Sequence, residues 1–219
     1  MISNIRKKKI VLISPHPDDI EIGMGGTAYL LAKKNKLHHL IVTNGANSAN
    51  IFKDKKKLVG ARKKEAINSN KYIGIKNIKF FHYEKIKNKS IELEFEAKTN
   101  KYLEKISPDF IFLPHPTLDN HPTHRKVSRI IIKTVHGLKK RPKIICYEVW
   151  GAFRKYDHFV DISKIIKNKK EIISFHKSQL AVKDYVNGIL GINKYHAVFN
   201  NFIKDDAKYI EVFLKYKVI

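Results

Sequence analysis

The chain has 219 residues and a formal net charge of +24 at pH 7, from 44 Lys and Arg against 20 Asp and Glu. Its single cysteine, Cys146, excludes an intrachain disulfide and a cysteine-rich zinc site, and it fits a cytoplasmic protein. No apolar stretch approaches the ~20 residues that span a bilayer, and the run after the basic residues 1–9 is too short for a secretory signal. We therefore expect residues 1–219 to fold as one cytoplasmic domain.

Short apolar runs predict buried strands, and helix-like periodicity fills the intervals between them. In chain order the strands are predicted at 10–13, 39–42, 78–81, 110–113 and 143–147, and the helices at about 24–35, 58–72, 91–105 and 122–136. Strands that alternate with helices indicate an α/β fold. We expect a Rossmann-like, mostly parallel sheet with helices on both faces.

The pattern changes after Trp150. A short strand is predicted at 159–161 and a helix from about Lys164 to His176, followed by glycine-punctuated sequence. We expect this C-terminal segment to cover the sheet and to form a wall of the site. Glu148 and Trp150 are expected to lock the last parallel strand, with a place in the pocket as the alternative.

The densest polar motif follows the first predicted strand, in the sequence SPHPDDIEIGMGGT at 14–27. It places His16 beside the carboxylates of Asp18, Asp19 and Glu21, which are costly to bury unless they are paired or bind a metal. The glycines at 23–28 also match a dinucleotide fingerprint. A pyrophosphate there would face three acids, however, and the expected ribose-binding acid about 20 residues further on is absent. Close packing of a helix on the sheet is the favoured role of these glycines.

A second polar cluster, Asp119, Asn120, His121 and His124, follows the fourth predicted strand. Ligands bind at the carboxyl ends of strands in open α/β sheets, and a catalytic zinc keeps three protein ligands and one open position. His16 and Asp19 stand three residues apart around a turn, and His124 can join them from the second strand end. This arrangement leaves Asp18 to take a proton from water, and His121 to donate a hydrogen bond or a proton to a reacting carbonyl.

Together, H-P-D-D-x-E-x-G-x-G-G-T and the later D-x-H-P-x-H resemble the PIG-L/LmbE-type zinc N-deacetylases, as do the segments 61–66, 147–150 and 176–179. The resemblance implies hydrolysis of the N-acetyl group of an N-acetylglucosamine-type amino sugar or its conjugate, with release of acetate. It implies zinc, or another divalent metal such as Fe²⁺, on His16, Asp19 and His124.

The resemblance also implies roles for other residues. Asp18 corresponds to the general base and His121 to the acid and oxyanion stabiliser. Arg62 corresponds to a substrate contact, and Tyr185 matches a mobile tyrosine that some relatives use on the oxyanion. We place Asp119 and Glu21 behind these residues, as groups that orient them.

One position departs from the family pattern: Thr123 stands where the family usually has Asp. A histidine that loses an anionic neighbour is less readily protonated, so we predict a lower pKa for His121 than in relatives. Asp119 is the alternative source of negative charge for that imidazole.

Two alternatives to a soluble deacetylase follow from the positive charge. One is a membrane-surface deacetylase of a lipid-linked sugar, drawn to anionic lipid. The other is a nucleic-acid-binding module, which is less favoured because the lysines are scattered and no aromatic residues are interleaved with them. The expected partner is an amino-sugar substrate and not nucleic acid, while peripheral contact with an anionic membrane and a homo-oligomer stay open.

Overall fold

The computed structural model describes residues 2–48, 54–200 and 206–216. Within them the strands are β1 Lys9–Ser14, β2 Lys36–Thr43, β3 Asn77–Tyr83, β4 Phe110–Pro114, β5 Lys143–Tyr147, β6 His158–Asp161 and β7 Ile210–Tyr216. The helices are α1 Asp19–Ala32, α2 Lys55–Ile73, α3 Lys89–Ile106, α4 Pro122–His136, α5 Ile166–Ser174, α6 Lys177–Leu180 and α7 Tyr185–Val198. Among these helices, none combines the length and the apolar character needed to cross a membrane.

All of these strands join one sheet in the order β3-β2-β1-β4-β5-β7-β6. The strands β1 to β5 pair in parallel, whereas β7 runs antiparallel to both of its neighbours, β5 and β6. The chain leaves β1 towards β2 and β3 on one side and returns to β4 on the other. The loops after β1 and β4 therefore diverge, and a crevice opens between them at the carboxyl ends of the strands.

The core has one layer on each face of the sheet. In β1, Val11 and Ile13 pack into the layer that contains side chains of α3 and α4, whereas Ile10 and Leu12 pack into the layer that contains those of α1 and α5. All four are 0% exposed. A parallel strand covered on both faces is apolar throughout, which is why β1 reads as a continuous hydrophobic run.

The predicted fold class is confirmed, with each of the five parallel strands and the four helices between them. The first helix begins at Asp19 rather than near residue 24. Sequence patterns missed α7 and β7. Gly188 and Gly191 suggested a break, but both are exposed on α7, where a glycine costs only about 1 kcal/mol relative to alanine.

Helix α1 is kinked at Met24, whose φ of −140° and ψ of 25° are not helical. The kink frees two backbone N–H groups, and both donate to the Glu211 carboxylate of β7: Gly26 at 3.0 Å and Thr27 at 2.6 Å. The buried Lys169 ammonium of α5 lies 2.5 Å from the same carboxylate. Glu211 therefore caps the second half of α1.

The glycines of α1 have the predicted packing role. A Cβ on Gly26 would lie 2.8 Å from the Ile162 side chain, and one on Gly23 would collide with the Glu148 carbonyl oxygen. A side chain at either position would push α1 off its neighbours, and with it the residues at the helix start.

Candidate active site at the carboxyl ends of β1 and β4

Three side chains from the two polar clusters meet in the crevice. His16 follows β1, Asp19 begins α1, and His124 lies in the first turn of α4. His16 Nδ1 lies 3.0 Å from His124 Nε2, and His124 Nε2 lies 3.2 Å from Asp19 Oδ1. His16 Nδ1 lies 3.5 Å from Asp19 Oδ2. The structure thus brings together the three residues that were predicted from the sequence as metal ligands.

A further histidine completes this cluster. Ligand nitrogens of His16, His121 and His124 lie within 4.8 Å of one another. The structure therefore offers two overlapping ligand sets that share His16 and His124, one completed by Asp19 and the other by His121. Both sets combine donors that zinc and ferrous iron accept.

The charges of the cluster favour a bound cation. Burial alone would raise the pKa of Asp19, but the imidazoles of His124 and His16 outweigh it and hold that pKa well below its ordinary value. Burial likewise opposes a charge on His124, yet the carboxylates of Asp19 and Asp119 raise its pKa to about 10. Two buried carboxylates thus require a positive charge between them, which either a proton on His124 or a divalent metal ion satisfies. The residues present fit a metal.

Asp119 orients His124. Its Oδ2 accepts a hydrogen bond from His124 Nδ1 at 3.1 Å, so that Nε2 of the ring faces His16 and Asp19. Its Oδ1 accepts from the backbone N–H of His121 at 2.7 Å. Among the hydrogen bonds of the described residues, the Asp119 carboxylate reaches the His121 backbone and not its ring. The charge of Asp119 does raise the pKa of His121, as the alternative expected, but burial and the imidazoles of His16 and His124 outweigh it.

His121 is the N-cap of α4. Its ring Nδ1 accepts a hydrogen bond from the backbone N–H of Thr123 at 3.2 Å, which leaves the proton of the neutral ring on Nε2. Burial, together with the neighbouring imidazoles of His16 and His124, lowers the pKa of His121 to about 4. At neutral pH His121 is therefore a hydrogen-bond donor and not a cation.

Asp18 lies next to the ligand cluster in sequence and is bound by a residue of α2. Arg62 Nη2 donates to Asp18 Oδ1 at 2.7 Å, and Arg62 Nη1 donates to the Gly45 carbonyl at 3.2 Å. Asp18 Oδ2 accepts no hydrogen bond from the described residues, and Asp18 lines the crevice. Arg62 lines it too, but it is only 2% exposed and binds Asp18. Its first role in this fold is to hold that carboxylate in place.

Helix α2 also anchors the segment 176–179. Glu65, one turn after Arg62, accepts hydrogen bonds from the Ser178 backbone at 2.8 Å and from its hydroxyl at 2.7 Å. The next residue, Gln179, lines the crevice, and its Nε2 lies 3.3 Å from Ser48 Oγ. Arg62 and Glu65 thus tie two walls of the site to one helix.

Glu21 lies behind the site. It is fully buried, with Oε1 at 3.4 Å from Asn70 Nδ2 and 3.6 Å from His176 Nε2. Asn70 Oδ1 in turn lies 2.8 Å from Nδ1 of the buried His39. Among the described residues Glu21 forms no hydrogen bond to a candidate ligand, so it supports the neighbouring polar side chains instead.

The crevice has a volume of about 570 Å³, and the C-terminal segment forms one wall of it, as predicted. Tyr185 at the start of α7 lines this wall, and burial followed by the charge of Asp18 raises the pKa of its phenol.

Trp150 lies between Tyr185 and His121, with ring centroids 6.3 and 5.7 Å away. The expected strand-locking role of Trp150 is wrong, because it is 40% exposed and lines the crevice. Glu148 does have a structural role, since it is buried against His196 at 3.0 Å.

Residues 11–135 match the family model described as PIG-L: GlcNAc-PI de-N-acetylase. This match spans more than half of the chain and contains both polar clusters. The chain belongs to the PIG-L family. The family resemblance read from the motifs is therefore confirmed.

Individual relatives match this chain over most of their own length. The chain is 27% identical over 188 residues to the probable N-acetyl-alpha-D-glucosaminyl L-malate deacetylase 2 of Bacillus subtilis (strain 168), covering 79% of this chain and 84% of the relative. It is 28% identical over 192 residues to the diacetylchitobiose deacetylase of Thermococcus kodakarensis, covering 78% and 70%. The solved N,N'-diacetylchitobiose deacetylase from Pyrococcus horikoshii superposes with a TM-score of 0.80 at 25% identity, covering 96% of this chain and 84% of that one.

Proposed function

We propose that this PIG-L protein is a metal-dependent N-deacetylase that hydrolyses the acetamide of an N-acetylglucosamine-type amino sugar or its conjugate and releases acetate. The observation that carries the proposal is the convergence of His16, Asp19 and His124, with Asp18 beside them, in an open crevice. The named relatives are deacetylases of N-acetylglucosamine-type compounds, which agrees with this chemistry.

His16, Asp19 and His124 would hold the metal, for which we propose zinc, with Fe²⁺ as the alternative. A divalent ion bound there supplies Lewis-acid chemistry, which acidifies water and polarises a carbonyl oxygen. Asp119 keeps Nε2 of His124 aimed at the ligand cluster.

Asp18 is the proposed general base. Arg62 occupies Oδ1, so Oδ2 is the oxygen that takes the proton from the attacking water. The new C–O bond forms at the acetamide carbon as its carbonyl π electrons move to oxygen. When the C–N bond breaks, the amine needs a proton, because an amide anion does not leave. The proton that Asp18 has taken from water is the proposed source, because Asp18 lines the crevice beside the reacting groups.

His121 is the proposed oxyanion stabiliser. With Nδ1 occupied by the Thr123 backbone, the neutral ring presents an Nε2–H donor in the crevice. This differs from the dual role implied by the family motif, in which His121 also acts as an acid. Tyr185, protonated and 6.3 Å from Trp150 between ring centroids, is a second candidate donor on the opposite wall.

The test is acetate release by purified, metal-loaded protein from a panel of N-acetylhexosamine conjugates, with metal content measured on the same samples. We expect turnover of at least one N-acetylglucosamine conjugate, loss of turnover on chelation and recovery with added zinc or Fe²⁺. The Asp18→Asn variant, loaded in the same way, is the control for adventitious hydrolysis. Full activity in a chelated, metal-free sample would contradict the proposal.

A membrane-surface form of this activity has one structural argument in its favour. At the end of α7, Tyr195, Val198 and Phe199 are 55%, 64% and 70% exposed. Tyr195 and Phe199 line the same surface hollow as the exposed cations Arg154 and Lys155. Sedimentation with vesicles of anionic and neutral lipid at two salt concentrations tests it. Absence of sedimentation with both vesicle types would contradict the membrane-surface form.

A further inference from the structure

The mouth of the crevice is basic. Its lining includes five cationic side chains, from Lys55, Arg62, Lys85, Lys87 and Lys183. A cleft lined by one sign of charge concentrates the field and attracts ligands of the opposite sign. Whether these cations are available to a ligand depends on how many already have a partner.

Two of the five are neutralised within the protein. Arg62 is paired with Asp18 at 2.7 Å, and the Lys55 ammonium lies 3.4 Å from Glu84 Oε1. The third acid of the lining, Asp19, belongs to the candidate ligand cluster. Within the described residues, Lys85, Lys87 and Lys183 are therefore left without a counter-charge.

Of these three lysines, Lys183 lies apart from Lys85 and Lys87. Its ammonium lies 5.3 Å from the centre of the Trp150 ring, on the wall formed by the C-terminal segment. Lys85 and Lys87 come from the loop between β3 and α3, on the opposite wall. Within the described residues these two form no ion pair, and both are exposed.

The sheet order sets the distance of this loop from the reacting groups. β3 is two strands away from β1, after which His16 and Asp18 are placed. Neighbouring strands lie about 4.8 Å apart, so the loop of Lys85 and Lys87 starts roughly 10 Å along the crevice from the end of β1. These lysines therefore lie within reach of a substituent on an amino sugar whose acetamide is at the ligand cluster.

We infer that Lys85 and Lys87 form a subsite for a negatively charged group, a carboxylate or a phosphate, carried by the conjugate whose N-acetyl group is removed. The inference rests on the proposed deacetylase function and narrows its substrate class. Ammonium groups act as strongly hydrated point charges that suit either anion. The preferred substrate is then an anionic N-acetylglucosamine conjugate and not a neutral oligosaccharide.

The first experiment compares substrates on the metal-loaded wild-type protein. It measures kcat and KM at low and high salt for a neutral N-acetylglucosamine methyl glycoside, a conjugate with a carboxylate aglycone and one with a phosphate aglycone. We expect kcat/KM to be roughly tenfold higher for one or both anionic conjugates at low salt, and to fall with salt for those alone. Comparing kcat/KM between the carboxylate and phosphate conjugates shows which anion the subsite accepts.

The second experiment changes the charges. Replacing Lys85 and Lys87 by Gln should raise KM for the preferred anionic conjugate by roughly two- to fivefold per lysine, with kcat little affected, as expected for exposed charges. The matched control replaces Lys34 and Lys76, exposed lysines at the amino-terminal edge of the sheet, and removes the same net charge. The anionic-to-neutral ratio of kcat/KM should fall in the first pair of substitutions and not in the control.

Equal kcat/KM for neutral and anionic conjugates, or an equal loss in both double variants, would overturn the subsite while the deacetylase function stands. Absence of acetate release from all three conjugates would overturn the proposed function on these sugars, and the subsite with it.

Discussion

Two buried acid–base pairs flank helix α1, and only one of them faces the crevice. Asp18 and Arg62, at the helix start, are 2.7 Å apart with side chains 8% and 3% exposed. Glu211 and Lys169, at the kink, are 2.5 Å apart and 0% exposed. By distance and burial alone the two pairs are nearly alike.

The two pairs differ in how many hydrogen bonds their carboxylate oxygens accept. The Glu211 carboxylate accepts from two backbone N–H groups of α1 and from Lys169, which leaves it little capacity for anything else. Asp18 binds Arg62 through one oxygen only, and it lines the crevice. A buried, paired carboxylate is thus a candidate for catalysis when it keeps an unused oxygen towards a cleft. The following experiments test this distinction.

The largest effect is expected at the ligand cluster beside Asp18. The change His124→Ala removes the one imidazole that contacts Asp19, Asp119 and His16, so bound metal and turnover should both fall to background. Metal content by mass spectrometry and acetate release measure the two. His136→Ala, on the exposed end of the same helix, is the control that should keep both. Retained metal in His124→Ala would remove His124 from the ligand set.

Asp18→Asn should lower kcat by about a hundred- to ten-thousand-fold, the usual contribution of a positioned base, while metal content stays near wild type. Asn keeps the shape of the side chain and loses the proton acceptor. Asp19→Asn, one residue along, is the matched comparison and should lose metal. Equal metal loss in both variants would make Asp18 a ligand and not the base.

Breaking the Glu211–Lys169 pair should lower the free energy of unfolding and leave the catalytic rate unchanged. Glu211→Gln leaves the buried Lys169 ammonium without its counter-charge, which costs about 3–5 kcal/mol in the free energy of unfolding. Urea denaturation measures the loss, and kcat per folded molecule should stay close to wild type. The exposed pair Lys133 and Glu96, tested by Glu96→Gln, should change stability by about 1 kcal/mol or less. A loss of turnover without a loss of stability in Glu211→Gln would contradict the distinction between the pairs.

The smallest effect is a shift in pH dependence at His121. Its pKa is lowered to about 4, so the ring is neutral above that pH and gains a proton only below it. Thr123→Asp adds a negative neighbour, which should raise this pKa by roughly one unit. Protonation turns Nδ1 from an acceptor into a donor and breaks its hydrogen bond with the Thr123 backbone, so the ring loses this orienting contact. The acid limb of the kcat/KM profile should then move to higher pH in Thr123→Asp.

The uncharged control for this change is Thr123→Asn. A shift of the basic limb to higher pH in Thr123→Asp, with an unchanged acid limb, would show that protonated His121 is the working acid. NMR titration of the imidazole identifies which group moves.

Local sequence determined the strands of this site and the residues placed at their carboxyl ends. The apolar run at 10–13 predicts a strand covered on both faces, and polar residues directly after two such strands must meet at one edge of a parallel sheet. The positions of His16, Asp18, Asp19 and His124 follow from that rule, because strand and helix order are properties of contiguous residues.

Only the tertiary structure decided the partners. The sequence placed Asp119 behind the ligands, but that its carboxylate binds Nδ1 of His124 depends on how α4 packs on the sheet. That Arg62 holds Asp18 depends in the same way on the packing of α2. The Glu211 carboxylate reaches Gly26 across 185 residues of sequence because β7 inserts antiparallel between β5 and β6. Hydrogen bonds and ion pairs of this kind act over about 3 Å, so a one-residue change in packing reassigns them, and no local pattern encodes that choice.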